Sequence, residues 1–371
     1  MTDAPLDLAA AVERLAAGSV TGIADVRRDP IEYDAFMAGR TLTRVRGSVV
    51  VDGRTEAWSF IEKRTEGPSV APEYLYDNGA REFAAYRSGM LDDLAPGLCA
   101  PRLLAAKRGT DGGLTLWIED LAASGRPPLT PDQLLRAARH LGRLTGRWMG
   151  RVPEHPWLFG GWIERHSQPH AIAEGLAAVR DAHGDPAIGA RIGGSLDEAV
   201  RLIEAQDELG SALGRLAPTL CHHDAVAANV FSRERDGSPE TVLIDWESVG
   251  PGPAGADLAS LLFSSPRRGD FSARLLPELI PGCLSAYEQG IAETGASVNP
   301  DEVRLGLHAS ISLRWTLVRD VTGLLGDPSR ARRGSAPHET PDAALAELVA
   351  LVPVLLDSAA EARRLISKSS A

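Results

Sequence analysis

Two segments constrain this chain more than any others: CHHDAVAANVF at residues 221–231 and TVLIDWESVGPGPAGADLASL at residues 241–261. Each joins a short apolar, strand-like run to a polar turn, so the fold must end buried strands at acidic and amide side chains. Asp224, Asn229 and Asp245 are the oxygen-bearing residues in this ordered set. Phosphoryl transfer asks little covalent chemistry of a protein. It needs a carboxylate near the acceptor hydroxyl and ligands that hold Mg²⁺ on the phosphates. Magnesium prefers oxygen donors, which suits an Asn oxygen and one Asp better than a thiolate or imidazole cage. The cysteines, Cys99, Cys221 and Cys283, are too widely spaced for a zinc site or a disulfide framework, and they predict a reducing, cytoplasmic setting.

The chain has 371 residues, and single cores stop growing at about 250 to 300 residues, so two lobes are expected. The net charge of -11 disfavours nucleic acid, whose phosphates attract Lys- and Arg-rich surfaces. The opening MTDAPLDLAAAVERLAAG is acidic and helical in period, unlike a signal peptide. The late apolar stretch around Leu348 to Leu356 contains Pro353 and is too short to span a bilayer, so no membrane partner is expected.

From Thr41 to Arg64 the pattern predicts a β-hairpin turning at Asp52-Gly53. Alternation then puts Ser59, Ile61 and Lys63 on one face and Trp58, Phe60 and Glu62 on the other. Residues Asn78 to Met90, with Glu82, predict a helix, and LTLWIEDL, Leu114 to Leu121, a further strand. ASGRPPL reads as a linker, and Thr130, Pro131 and Gln133 start a helix as cap, first-turn proline and capping-box partner. Helices are expected at about 169 to 215 and again from about 271, with Gly323 to Pro341 as an exposed loop. His166 and His170 read as surface residues, Trp157, Phe159 and Trp162 as packing beneath a loop, and Arg330, Arg332 and Arg333 as solvated charges.

The order His-x-Asp, Asn five residues after the Asp, then an apolar strand ending in Ile-Asp-Trp resembles the Brenner-type motif of the aminoglycoside phosphotransferases and their choline-kinase-like relatives. That resemblance implies an α+β, bilobal protein kinase-like fold. Residues 1–121 would be a mainly antiparallel β lobe with one helix that binds ATP and ends in a hinge, and residues 122–371 a larger, mainly α lobe for catalysis and the acceptor. By position, Asp224 is similar to the catalytic base, His222 to the residue shaping the catalytic loop, Asn229 and Asp245 to the Mg²⁺ ligands, and Asp257 to the Asp that braces the loop. Lys63 would meet the α- and β-phosphates with Glu82 as its helix partner. Ile61 would lie over the adenine, and Glu119 and Leu121 resemble the hinge.

The sequence departs from the family pattern in several places. No GxGxxG occurs near Gly39 or Gly47, His223 stands where Gly or Asn is usual, Ala225 to Ala228 lack a common proline, and Trp246-Glu247 replaces the Phe-Gly of protein kinases. Val226 occupies the position of the lysine that Ser/Thr protein kinases carry. The leading expectation is ATP- and Mg²⁺-dependent transfer to a hydroxyl of a small molecule such as an aminoglycoside, a sugar or an amino alcohol. Two readings stand beside it: phosphorylation of Ser or Thr in a peptide during natural-product biosynthesis, and a pseudokinase acting as a binding module. The acceptor, the choice of ATP over GTP and the oligomeric state are not encoded legibly.

Overall fold

Alternation along residues 54–65 organises the first sheet. In the computed structural model, which describes residues 7–16, 20–32, 39–67, 79–125, 129–183 and 196–369 with Asp185, Ile188 and Ile192, the hairpin forms from β2 (Arg40–Val51) and β3 (Arg54–Thr65). Asp52 and Gly53 take φ of 46° and 79°, the pair of positive values that a type I′ turn requires. An edge strand, β1 (Val20–Ile31), precedes them, and after the helix α2 (Gly79–Arg87) and the short β4 (Leu98–Cys99) come β5 (Leu103–Arg108) and β6 (Leu114–Glu119). The sheet order is β1-β2-β3-β6-β5, antiparallel throughout.

One face of this sheet buries Val45, Val49, Val51, Trp58, Phe60, Leu104 and Trp117 beneath Ala11 and Val12 of the helix α1 (Leu8–Leu15). The Phe60 ring lies 5.6 Å from Trp58 and 4.8 Å from Trp117. A Cβ on Gly47 would come within 2.7 Å of the Trp58 ring, so the indole needs glycine opposite it. The other face carries Ile61 across from Ile118, and Lys63 across from Leu116 and Leu42. Asn78, the expected helix start, lies outside the described residues, and the helix itself turns Glu82, Phe83 and Tyr86 inward.

The chain divides into two units. The first comprises Met1–Leu94, Cys99–Ser124 and Val242–Glu247, and the second Ala95–Leu98, Gly125–Thr241 and Ser248–Ala371. The second is mostly helical, which with the antiparallel sheet gives the expected α+β class. Its first helix, α3 (Pro131–Trp148), has the full capping box at Thr130 and Gln133. It packs on the helix Leu276–Glu293 at backbone distance, because a Cβ on Gly142 would sit 2.0 Å from the Tyr287 oxygen and one on Gly290 would sit 2.0 Å from that of Arg139.

Three expectations need correction. Gly323 to Gly326 close the helix Thr316–Gly326 rather than opening a loop, and Arg333 is 8% exposed. Its Nε donates to Glu339 Oε2 at 2.7 Å and its Nη1 to the Pro266 carbonyl at 2.7 Å, so pairing offsets the cost of burying the guanidinium. The late apolar stretch belongs to one continuous helix, Pro341–Ser369, that passes through Pro353. By length and composition this helix could cross a membrane. Leu345, Leu348, Leu351, Val352 and Leu355 are buried inside the second unit, which is the pattern of a core helix.

Candidate active site

In the second unit, β7 (Pro218–Cys221) pairs with the strand Gly250–Pro253 and delivers the chain into the turn that carries His222, Asp224 and Asn229. Asp257 suspends this turn from the far side. Its Oδ2 accepts the His222 N–H at 2.8 Å and its Oδ1 accepts the His223 N–H at 2.7 Å. Burial pushes the Asp257 carboxyl up to about 6 even though both backbone bonds favour its ionised form. The Gly255 before it has φ of 92°, and its N–H donates to the Tyr287 hydroxyl at 2.9 Å, so the packed helix pair fixes where Asp257 begins.

His222 is fully buried, and its Nδ1 accepts the Asp224 N–H at 3.2 Å. Asn229 Nδ2 donates to the Asp224 backbone oxygen at 2.9 Å and to Asp224 Oδ2 at 3.0 Å. That orientation leaves Oδ1 as the amide's oxygen for a cation. His223 takes φ of 66°, a conformation that favours Gly or Asn. The contacts it gains are a stack on Trp162 at 5.2 Å and a bond from Nε2 to the Pro251 carbonyl at 3.0 Å. Phe159 and Trp162 are therefore packing residues, as expected. His166 is half-buried rather than freely exposed: its Nδ1 bonds the Trp162 carbonyl at 2.8 Å, and the desolvation holds its pKa down to about 3.

The first unit assembles the other residues. Lys63 Nζ lies 2.7 Å from Glu82 Oε2 and 2.8 Å from Glu247 Oε1, and it also contacts Asp245 Oδ1. Burial alone would lower the Lys63 pKa, but Asp245, Glu247 and Glu82 outweigh it and hold the ammonium well above its ordinary range. The Glu82 carboxyl is raised, because its burial outweighs the pull of Lys63. Glu247 is lowered despite burial, because it has both Lys63 and Arg40. Asp245 sits at φ of 68° with its side chain 37% exposed. Ile61 shares the face of Lys63. The hinge candidates close β6, where Glu119 N–H donates to the Arg102 carbonyl at 3.0 Å and Leu121 is buried.

Lys63, Glu82, Ile61, Glu119, Leu121 and Asp245 thus belong to the first unit, and His222, Asp224, Asn229 and Asp257 to the second. Residues 72–296, more than half of the sequence, match the model of the phosphotransferase enzyme family. The chain belongs to that family.

It is accordingly a phosphotransferase enzyme. No curated protein gives a significant match to the phosphotransferase. Similar solved structures include an amicoumacin kinase in complex with AMP-PNP and calcium, 16% identical over 91% of this chain and 88% of that one with a TM-score of 0.44. A microcompartment-associated aminopropanol kinase is 16% identical over 98% of each chain at 0.45. A choline kinase from Cryptosporidium parvum is 16% identical over 93% of this chain and 91% of that one, also at 0.45. These are remote likenesses, and the assignment rests on the family match.

Several residues that hold these elements within each unit of the phosphotransferase escaped the sequence reading. Ser265 Oγ accepts the Ala227 N–H at 2.8 Å, Asp270 Oδ2 accepts that of Ala228 at 3.2 Å, and Ser260 Oγ donates to the His223 carbonyl at 3.1 Å. These bonds fix the loop backbone from a segment with no distinctive spacing. Arg40 and Arg81 were also missed. Arg40 Nη1 lies 2.5 Å from Glu247 Oε2, and Arg81 Nη1 donates to the Glu247 carbonyl. Glu247 itself was visible as a departure beside Asp245.

Two buried histidines and one half-buried one, each held neutral, predict that the second unit loses stability in acid. Burial lowers the pKa from 6.5 to about 4 for His140 and to about 3 for His166 and for His223. Between the folded and unfolded values the unfolded chain holds more protons, so their contribution is complete above 6.5 and declines as pH falls, by about 1.4 kcal/mol per unit for each histidine. Asp257, raised from 3.8 to about 6, acts in the opposite sense and offsets one of the three over part of that range. The melting temperature is expected to drop between pH 7 and pH 5, and the drop should be smaller in His223→Asn, whose side chain accepts the left-handed backbone. An unchanged melting temperature across that interval would contradict the assignment of neutral histidines.

Proposed function

We propose that this phosphotransferase moves the γ-phosphoryl group of ATP, in the presence of Mg²⁺, to a hydroxyl of a small molecule. The observation that carries the reading is the buried Lys63–Glu82 pair with a partly exposed Asp245 beside it, in a chain that also presents Asp224 and Asn229 from one braced turn. Bound MgATP supplies the electrophilic phosphorus and the charge neutralisation that phosphoryl transfer depends on. Lys63 would bind the α- and β-phosphate oxygens, Asp245 and Asn229 Oδ1 would hold the ion, and the backbone at Glu119 and Leu121 would meet the base, with Ile61 on its face. The residues fit these tasks: a fixed ammonium, an accessible carboxylate and an amide oxygen directed away from its own hydrogen bonds.

Asp224 would orient the acceptor and take its proton as the new O–P bond forms and the bond from the γ-phosphorus to the ADP oxygen breaks. His222 would hold the Asp224 backbone, and Asp257 the turn as a whole. The net charge of -11 favours a cationic acceptor, so aminoglycosides and amino alcohols come first in a search. The test is ADP release from MgATP against a panel of amino alcohols, aminoglycosides, sugars and Ser/Thr peptides, alongside calorimetry with MgATP. Turnover with a small hydroxyl compound is the expected result. Turnover with peptides alone would replace the acceptor class, and failure to bind MgATP would remove the reading.

A further inference from the structure

Glu82, Asp245 and Glu247 place three carboxylates within 4.8 Å of one another, and the cation among them is the Lys63 ammonium. The three are not equivalent. The side chains of Glu82 and Glu247 are each 2% exposed, whereas that of Asp245 is 37% exposed. Glu247 spreads its two oxygens over two cations, Oε1 at 2.8 Å from Lys63 and Oε2 at 2.5 Å from Arg40. Arg81 holds its backbone carbonyl as well. Glu247 is therefore anchored from two sides and presents a fixed oxygen to Lys63.

An oxygen of Asp245 in contact with an ammonium cannot at the same moment give that electron pair to a divalent ion. If Oδ1 of Asp245 is to join the metal's ligands as well as Oδ2, it must leave Lys63, and something must keep the ammonium in place as it does. We propose that Glu247 is a positioning residue that retains Lys63 and so releases Asp245 for the metal, an inference that rests on the phosphotransferase reading above. Without Glu247, Lys63 is shared between Glu82 and Asp245 alone, its hold on Asp245 tightens, and the metal has to compete with it. Arg40 is the anchor of this device, because a carboxylate fixed by one guanidinium is already oriented towards Lys63.

The test uses Glu247→Gln, Arg40→Gln and the double variant, reading ADP binding by calorimetry as Mg²⁺ is varied, with melting temperatures in parallel. In Glu247→Gln the Mg²⁺ concentration at half-maximal ADP binding should rise by about tenfold, the scale of turning one close charged contact into a neutral one. Metal-free ADP binding should change far less, because Lys63 remains. Arg40→Gln should move the Mg²⁺ midpoint less than Glu247→Gln does. The double variant removes a buried ion pair as a unit, which proteins tolerate better than removal of one partner. It should melt nearer the wild type and keep the full Mg²⁺ defect. If Glu247 serves only to neutralise Arg40, the double variant will show a wild-type Mg²⁺ midpoint, and that result overturns the proposal. Equal weakening of metal-free and Mg²⁺-dependent binding also overturns it, since general damage produces that. A wild-type chain that binds no ADP at any Mg²⁺ concentration would instead bring down the phosphotransferase mechanism, and this role with it.

Discussion

Asp224→Ala should lower turnover by about 10² to 10⁴, the usual consequence of losing a general base, while MgATP binding stays within a few-fold of wild type. The substitution removes the carboxylate and one bond from Asn229 Nδ2, which keeps its bond to the backbone oxygen of residue 224. The turn keeps its backbone bonds to Asp257, Ser265 and Asp270, and the His222 ring still accepts the residue 224 N–H. Lys63 and Asp245 lie in the other unit and are untouched. The measurement is the rate of ADP release with an acceptor found by screening, paired with calorimetry. Undiminished turnover in Asp224→Ala would end the assignment of Asp224 as base.

Lys63→Met should be costly to both stability and nucleotide binding. It leaves Glu82 and Glu247 buried with one fewer cation, and breaking a buried charge network in this way costs about 3 to 5 kcal/mol. Chemical denaturation should show that loss, and MgATP affinity should fall with it. Lys63→Met/Glu82→Leu removes the charge together with a carboxylate, and should recover part of the stability and none of the affinity. A Lys63→Met variant that melts like the wild type would show that its three carboxylate contacts contribute little, and one that also binds MgATP normally would remove Lys63 from the site.

How much of this was legible depended on how local each signal was. The Asp52–Gly53 turn and the Thr130 capping box are written within a few residues, and both form as read. The polar residues at 222, 224, 229 and 257 were named from their order, and the bonds of His222, Asn229 and Asp257 give those names a geometry. The edge strand Val20–Ile31 was missed because its face is mostly exposed and charged, and a register shift between Ala24 and Arg27 breaks its alternation. Gly323 and Gly326 read as loop because composition weighs a glycine the same wherever it falls, although a helix tolerates one at about 1 kcal/mol. Arg333 looked solvated because its partner, Glu339, and the Pro266 carbonyl are brought to it only by the fold. Glu247 was seen only as a replaced glycine. Its partners, Arg40 and Lys63, lie far back in the sequence, and no local pattern links them.

The first unit is discontinuous, since Val242–Glu247 returns to it after the chain has built much of the second. A ribosome adds about 5 to 20 residues each second, so the strands bearing Arg40 and Lys63 wait many seconds for Asp245 and Glu247 to emerge. During that interval Glu82 is the sole carboxylate of the three available to them, and the nascent sheet carries two cations destined for burial without their later partners. A fragment ending at Ser124 would be left in that condition permanently, so the N-terminal region should be poorly soluble or loosely packed when expressed by itself, and adding the remainder of the polypeptide in trans should restore it only if residues 242–247 can dock.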